Sequence, residues 1–197
     1  MLAPGRAGSG LGSGVRGAAS PTRPDWSGKT GTLVDPPGGA GPEVPPEPRL
    51  LVVDTNVALK AYLEEDLSDE AGAILDAGLS GEATLVAPSL ILPEFRHALD
   101  KRHRRVELSS EEAEEIWSEF GSYPVVLYDL EPLMPAAVEI VRWSGCTAYD
   151  ALFVALAESK RAEGAAFATA DDRLTRALDG SPYADLILPL GKATELL

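Results

Sequence analysis

The chain has 197 residues, 45% of them hydrophobic, which suffices for one domain with a sizeable core plus a tail. Its formal net charge is −14, and from Arg49 onward 13 basic residues face 27 acidic ones; this excludes a generally cationic surface, so any bound nucleic acid needs local basic patches or bound metal. The single Cys146 excludes an internal disulfide and a cysteine zinc cage, His97 and His103 are too few for a His-rich metal site, and no apolar run reaches the roughly 20 residues of a membrane span, so a cytoplasmic protein is expected.

Residues 1–48 hold more than half of the glycines and prolines and few large apolar side chains, the composition of a disordered N-terminal extension. Trp26 reads as incidental there. A later translation start, for example at Val44, is an alternative reading of the same stretch. Residues 49–197 form the domain.

From Arg49 short aliphatic runs alternate with segments of helical period. The pattern predicts, in chain order, a strand over 50–54, helices over 57–64 and 69–79, a strand over 84–87, and helices over 90–104 and 111–120. It continues with a strand over 125–128, helices over 135–143 and 148–163, a strand over 166–169, a helix over 173–178 and a last strand over 186–188. Ser109 and Glu112 have capping-box spacing. Uncharged strands alternating with helices imply an α/β fold, a central parallel sheet flanked by helices on both faces.

Four acids interrupt long uncharged runs: Asp54 in LLVVDTNVAL, Glu94 in ATLVAPSLILPEF, Asp150 in WSGCTAYDALFVALA and Asp171 in GAAFATADDRL. An ionised carboxylate near a core is costly unless paired, hydrogen-bonded or bound to metal. Helix capping explains Asp54, Asp150 and Asp171 taken singly, with Thr147 and Asp150 spaced as a capping box. Glu94 falls inside its predicted helix, at the flank of the stripe formed by Ile91, Phe95 and Ala98. In a parallel sheet, however, strand ends and the first turns of the following helices converge on one edge. Gathered there, four carboxylates repel one another unless a cation offsets them. Mg²⁺ or Mn²⁺ takes oxygen ligands and needs neither Cys nor His. The chemistry such a centre performs is hydrolytic phosphodiester cleavage.

In VVDTNV, the Glu of LPEF, YDALFVALA and the T-x-D of ATADDRL, in that order, the chain resembles PIN-domain ribonucleases, in particular VapC-type toxins of toxin-antitoxin pairs. The resemblance runs from about Leu50 to the C-terminus. It implies a PIN-like three-layer sandwich, Mg²⁺- or Mn²⁺-dependent cleavage of RNA, a homodimer, and a cognate antitoxin that occludes the cleft. Carried over by position, Asp54 and Asp150 become the principal metal ligands, and Glu94 and Asp171 complete the catalytic quartet. Thr55, Asn56 and Thr169 become supporting residues around them, with ordinary turn and cap chemistry as the alternative. Asp172 is a candidate to share the work of Asp171. Pro93 is expected to bend the helix that presents Glu94.

Arg96 and Arg173 are the candidate RNA phosphate contacts, because both neighbour the proposed ligands. The KRHRR run of residues 101–105 reads as a solvated helix end that complements the helix dipole, and both histidines read as surface residues. Cys146, Trp117, Trp143 and Phe153 read as core or subunit contacts. Two other readings stay open: a noncatalytic PIN-like binding module, and a receiver or phosphatase-like α/β domain using Asp54. The receiver would draw on Asp129 and Lys192 but lacks a second acid beside Asp54. The phosphatase wants an acid at Asn56.

Overall fold

A computed structural model describes residues 49–195, and the expected N-terminal extension lies outside the described residues. Five strands, β1 (Arg49–Val53), β2 (Ala83–Pro88), β3 (Val125–Tyr128), β4 (Ala166–Thr169) and β5 (Ile187–Pro189), form one sheet in the order β3-β2-β1-β4-β5. Every pairing is parallel; Val52 sits between Val86 and Phe167, at the middle of the sheet. β1 and β4 expose almost nothing beyond their first residues, which is why their sequences are mostly apolar and do not alternate with charged residues.

Seven α-helices cover the sheet: α1 (Thr55–Lys60), α2 (Ser68–Ser80), α3 (Ile91–Arg104), α4 (Ser110–Phe120), α5 (Met134–Ser144), α6 (Ala148–Ser159) and α7 (Asp172–Leu178). The chain steps outward from β1 to β2 and β3, then crosses back to β4 and β5. Right-handed crossovers therefore put α1 to α4 on one face and α5 to α7 on the other. The packing agrees, since α1 touches α2 and α3, α2 covers β2, and α6 lies across β1, β2 and β4 beneath α5. Every residue from Ala151 to Ala157 is buried, as an all-round apolar helix between two layers must be. The expected α/β sandwich is what the chain adopts. None of the described helices is long and apolar enough to cross a membrane.

Differences from the sequence pattern lie at helix ends. α1 starts two residues earlier than expected, because the Asp54 side chain accepts from the Asn56 amide and begins the helix at once. It ends four residues earlier, where Lys60 turns to donate to the Asp66 carbonyl oxygen at 2.9 Å. α6 stops at Ser159, and a 3-10 turn over Arg161–Glu163 follows before Gly164 at φ 75°. Pro93 stands in the first turn of α3, where its missing N–H has no helical partner to lose, so the expected cause of a bend is absent there.

Two packing details fix the elements that carry the site. Phe95, beside Glu94, is fully buried, stacked on Phe120 at 4.1 Å between ring centroids and edge-on to Tyr62 at 6.0 Å. These rings clamp the start of α3 to the connection after α1 and to the end of α4. Gly78 lets α2 lie directly on β2, since a Cβ there would come within 2.4 Å of Leu85 Cδ1.

Candidate active site

The order of strands reverses between β1 and β4, and the crevice at the C-terminal ends of such a pair is where parallel sheets bind ligands. Asp54 follows β1 there and is 8% exposed. Its amide donates to the Ala168 carbonyl at 3.1 Å, so the sheet ladder itself holds the backbone. Its Oδ2 accepts from Thr169 Oγ1 at 2.7 Å and its Oδ1 from the Asn56 amide at 3.3 Å. Burial raises the Asp54 carboxyl from 3.8 to about 6, despite the Thr169 and Asn56 hydrogen bonds, and the charges of Asp150 and Glu94 push the same way.

Glu94 reaches the same crevice from the first turn of α3. Its Oε2 accepts from Thr55 Oγ1 at 2.7 Å. Burial raises its carboxyl above the ordinary glutamate value; the Thr55 bond opposes that, and the Asp150 charge adds to it. Asp150 approaches from the first turn of α6, where it forms a capping box with Thr147: its Oδ2 accepts from Thr147 Oγ1 at 2.7 Å and its amide donates back at 3.1 Å. Three carboxylates thus feel one another, and each has one oxygen on a threonine hydroxyl. Asp54 rests on Thr169, Glu94 on Thr55, and Asp150 on Thr147.

Asp171 is placed differently. It caps α7, its Oδ1 accepting from the Arg173 and Leu174 amides at 2.7 and 3.1 Å. It joins Asp54 through Thr169, whose Oγ1 accepts from the Asp171 amide at 3.1 Å while donating to Asp54. Its side chain lines an adjoining cavity of about 410 Å³ together with Asn56, Asp172 and Arg173. Capping therefore accounts for one oxygen of Asp150 and Asp171, but not for Asp54 being buried beside two other acids.

The donor set suits a hard divalent cation. It consists of carboxylate oxygens backed by hydroxyls, with no sulfur or imidazole, around a buried acid whose neighbours repel it. In the conformation described, no group of three acidic, histidine or cysteine side chains among the described residues already forms a cage for an ion. Glu94 and Asp150 each keep one oxygen on a threonine hydroxyl.

The two candidate RNA contacts part company. The Arg96 guanidinium is engaged by Asp100 at 3.1 Å and Glu114 at 2.7 Å, and lies 5.9 Å from the Trp117 ring centre. Arg173 is exposed at the cavity and makes no ion pair among the described residues. Within KRHRR, Arg102 differs from its neighbours: it is half-buried, lines the cavity and pairs with Glu65. A sequence signal for this existed, because Arg102 continues the buried stripe of Phe95 and Leu99 at helical spacing. His97 is exposed, and His103 Nδ1 meets the Leu108 carbonyl at 3.2 Å. Phe153 is buried against Phe167, Cys146 is half-buried beside the core, and Trp143 is exposed. Asp129, which a receiver would place next to Asp54, follows edge strand β3. With β2 between, it lies roughly 10 Å to the side.

The family model for the PIN domain matches residues 51–179. Among curated proteins none matches the chain. Among solved structures, PAE2754 from Pyrobaculum aerophilum is similar with 18% identity and a TM-score of 0.52, over 75% of this chain and 95% of that one. VapBC2 from Rickettsia felis, bound to a DNA fragment from its promoter, gives 16% identity and a TM-score of 0.49, over 71% and 98% of the two chains. FitAcB from Neisseria gonorrhoeae gives 15% and 0.49, over 72% and 98%.

Proposed function

The chain belongs to the PIN domain family, and on that premise we propose that it is a metal-dependent endoribonuclease that hydrolyses RNA phosphodiester bonds. The observation that carries the reading is Asp54: a carboxyl buried at the strand-order reversal, raised to about 6, with Glu94 and Asp150 adding their charges to the same space. A structural cap has no use for two further acids beside it. A site that neutralises them with a cation does.

In this reading Asp54 and Asp150 hold Mg²⁺ or Mn²⁺, with Glu94 and Asp171 completing the set. When bound, such an ion supplies Lewis acidity toward a phosphodiester oxygen and toward water. Thr169 keeps Asp54 oriented, and its hydrogen bond favours the ionised form. Thr55 and Thr147 hold Glu94 and Asp150 by one oxygen each, leaving the other available. The α3 and α6 first turns present these acids on rigid elements, so little ordering is needed when substrate arrives.

We further propose that the protein is a cytoplasmic toxin of a toxin-antitoxin pair, acting as a homodimer. That part draws on the resemblance carried by VVDTNV, LPEF, YDALFVALA and ATADDRL. The exposed Met134, Val138 and Trp143 of α5 supply apolar surface for protein contacts. The second reading, a noncatalytic PIN-like binding module, is favoured by the engagement of each carboxylate with a threonine. The purified chain, assayed on a panel of structured RNAs with Mg²⁺, Mn²⁺ or chelator, separates the two. Cutting that needs the metal and vanishes in Asp54→Asn supports the nuclease; RNA binding without cutting supports the module.

A further inference from the structure

The cavity beside the carboxylates has a second lining that the proposed reaction does not use. Lys60 from the end of α1, Arg102 from the last turns of α3 and Arg173 from the start of α7 all reach it, from three different elements. Between the first two stands Glu65, from the connection leading to α2. Its Oε1 accepts from Lys60 Nζ at 3.2 Å and its Oε2 from Arg102 Nη2 at 3.1 Å, while Arg102 Nη1 donates to Glu107 at 3.3 Å.

These side chains are not a freely solvated surface pair. Lys60, Arg102 and Glu65 are 21%, 27% and 30% exposed. One carboxylate oxygen on an ammonium and the other on a guanidinium is the geometry that both cations offer a phosphodiester, whose two free oxygens carry one negative charge. Arg173 adds a third cation with no ion pair among the described residues. The cavity's other acids, Asp171 and Asp172, lie at the β4–α7 junction, directly before Arg173 in the chain.

We propose that Lys60, Arg102 and Arg173 bind a backbone phosphate of the RNA next to the one being cut, and that Glu65 is a placeholder this phosphate displaces. The inference rests on the ribonuclease reading and deepens it. A strand entering the crevice at Asp54 continues past Asn56 into the cavity, where its next phosphate replaces the Glu65 carboxylate on Lys60 and Arg102. The acidic protein thus grips its polyanionic substrate through one local cationic seat, and Glu65 sets how readily that seat opens.

The test measures binding of a fluorescent single-stranded RNA by the full chain in chelator, where no cutting occurs, across a range of salt concentrations. Arg102→Gln is expected to weaken binding several-fold and to reduce the slope of log affinity against log salt by about 1. Glu65→Gln is expected to strengthen binding several-fold, and Arg173→Gln to weaken it. Arg142→Gln, on exposed α5 and paired with Glu139, is the control and leaves affinity unchanged. Circular dichroism checks that each variant folds, and the opposite directions expected for Glu65→Gln and Arg102→Gln keep a general loss of structure from imitating the result. Unchanged affinity in Glu65→Gln and Arg173→Gln, with a wild type that cuts RNA when Mn²⁺ is added, overturns the phosphate seat and leaves the nuclease standing. A wild type that neither binds nor cuts RNA overturns both.

Discussion

Thr169 Oγ1 donates a 2.7 Å hydrogen bond to Asp54 Oδ2, joining the end of β4 to the end of β1 across 115 positions of sequence. Thr169 is 1% exposed, so water does not replace the donor if it is removed. The same hydroxyl also accepts from the Asp171 amide. Thr169→Val is isosteric, yet it leaves a buried carboxylate and a backbone N–H short of a partner. Urea denaturation at pH 8 should show a loss of about 1–3 kcal/mol. The Asp54 carboxyl should also rise further, moving the acid limb of any pH–activity profile upward. A variant as stable as the wild type, with an unmoved profile, removes the hydrogen bond from the account.

Asp54→Asn should abolish cutting and stabilise the metal-free fold, but only above a certain pH. Unfolded, Asp54 titrates near 3.8; folded, near 6. Between those values the folded state binds more protons. The protonated group's contribution is therefore whole below about pH 4, falls as pH rises through 6, and then levels off. The shift is worth roughly 3 kcal/mol at most. With chelator present, the Asp54→Asn variant and the wild type should match near pH 4 and diverge by up to that amount at pH 8. Glu94, also raised by burial, bends the wild-type curve in the same direction.

Divalent cation should restore what ionisation costs. Binding at Asp54 requires the carboxylate form, so Mn²⁺ competes with protons through the region of pH 6. Thermal melts of the wild type should rise with millimolar Mn²⁺ at pH 7.5 and much less at pH 5. The Asp54→Asn protein should show little rise at either pH. Equal shifts in both proteins would place the ion elsewhere.

Val106, in the turn between α3 and α4, has φ 61° and is 92% exposed. A β-branched side chain in the left-handed region is strained, and here no burial compensates. Val106→Gly should raise stability by about 1 kcal/mol, read as a higher denaturation midpoint with an unchanged slope.

What the sequence disclosed of this site was its anomalies. Asp54 stood out because a charge ends an aliphatic run, and the strands over 125–128 and 166–169 fall on the residues expected because Pro124 and Asp129 bound the first and Gly164 and Asp171 stand just outside the second. Pairings were not legible. Nothing near Asp54 in the chain names Thr169 as its donor, and nothing in SLILPEF names Thr55 as the hydroxyl that holds Glu94. Arg96 looked suited to substrate by its closeness to Glu94 in sequence. Helical spacing sends it instead toward Asp100 and across to α4, while Arg102, farther along the chain, turns back to the cavity. The short α1 was hidden for a similar reason: Lys60 leaves its helical path for the Glu65 and Asp66 connection, a tertiary contact with no periodic signature.

The pairing of β1 with β4 has a consequence during synthesis. Asp54 emerges from the ribosome early, but the strand that lies beside it and the hydroxyl that orients it are not translated until more than a hundred residues later. Until then the nascent polypeptide has only an unsupported acid at the rim of half a sheet. A chain released before β4 therefore lacks both the neighbouring strand and the hydroxyl that hold Asp54 in place.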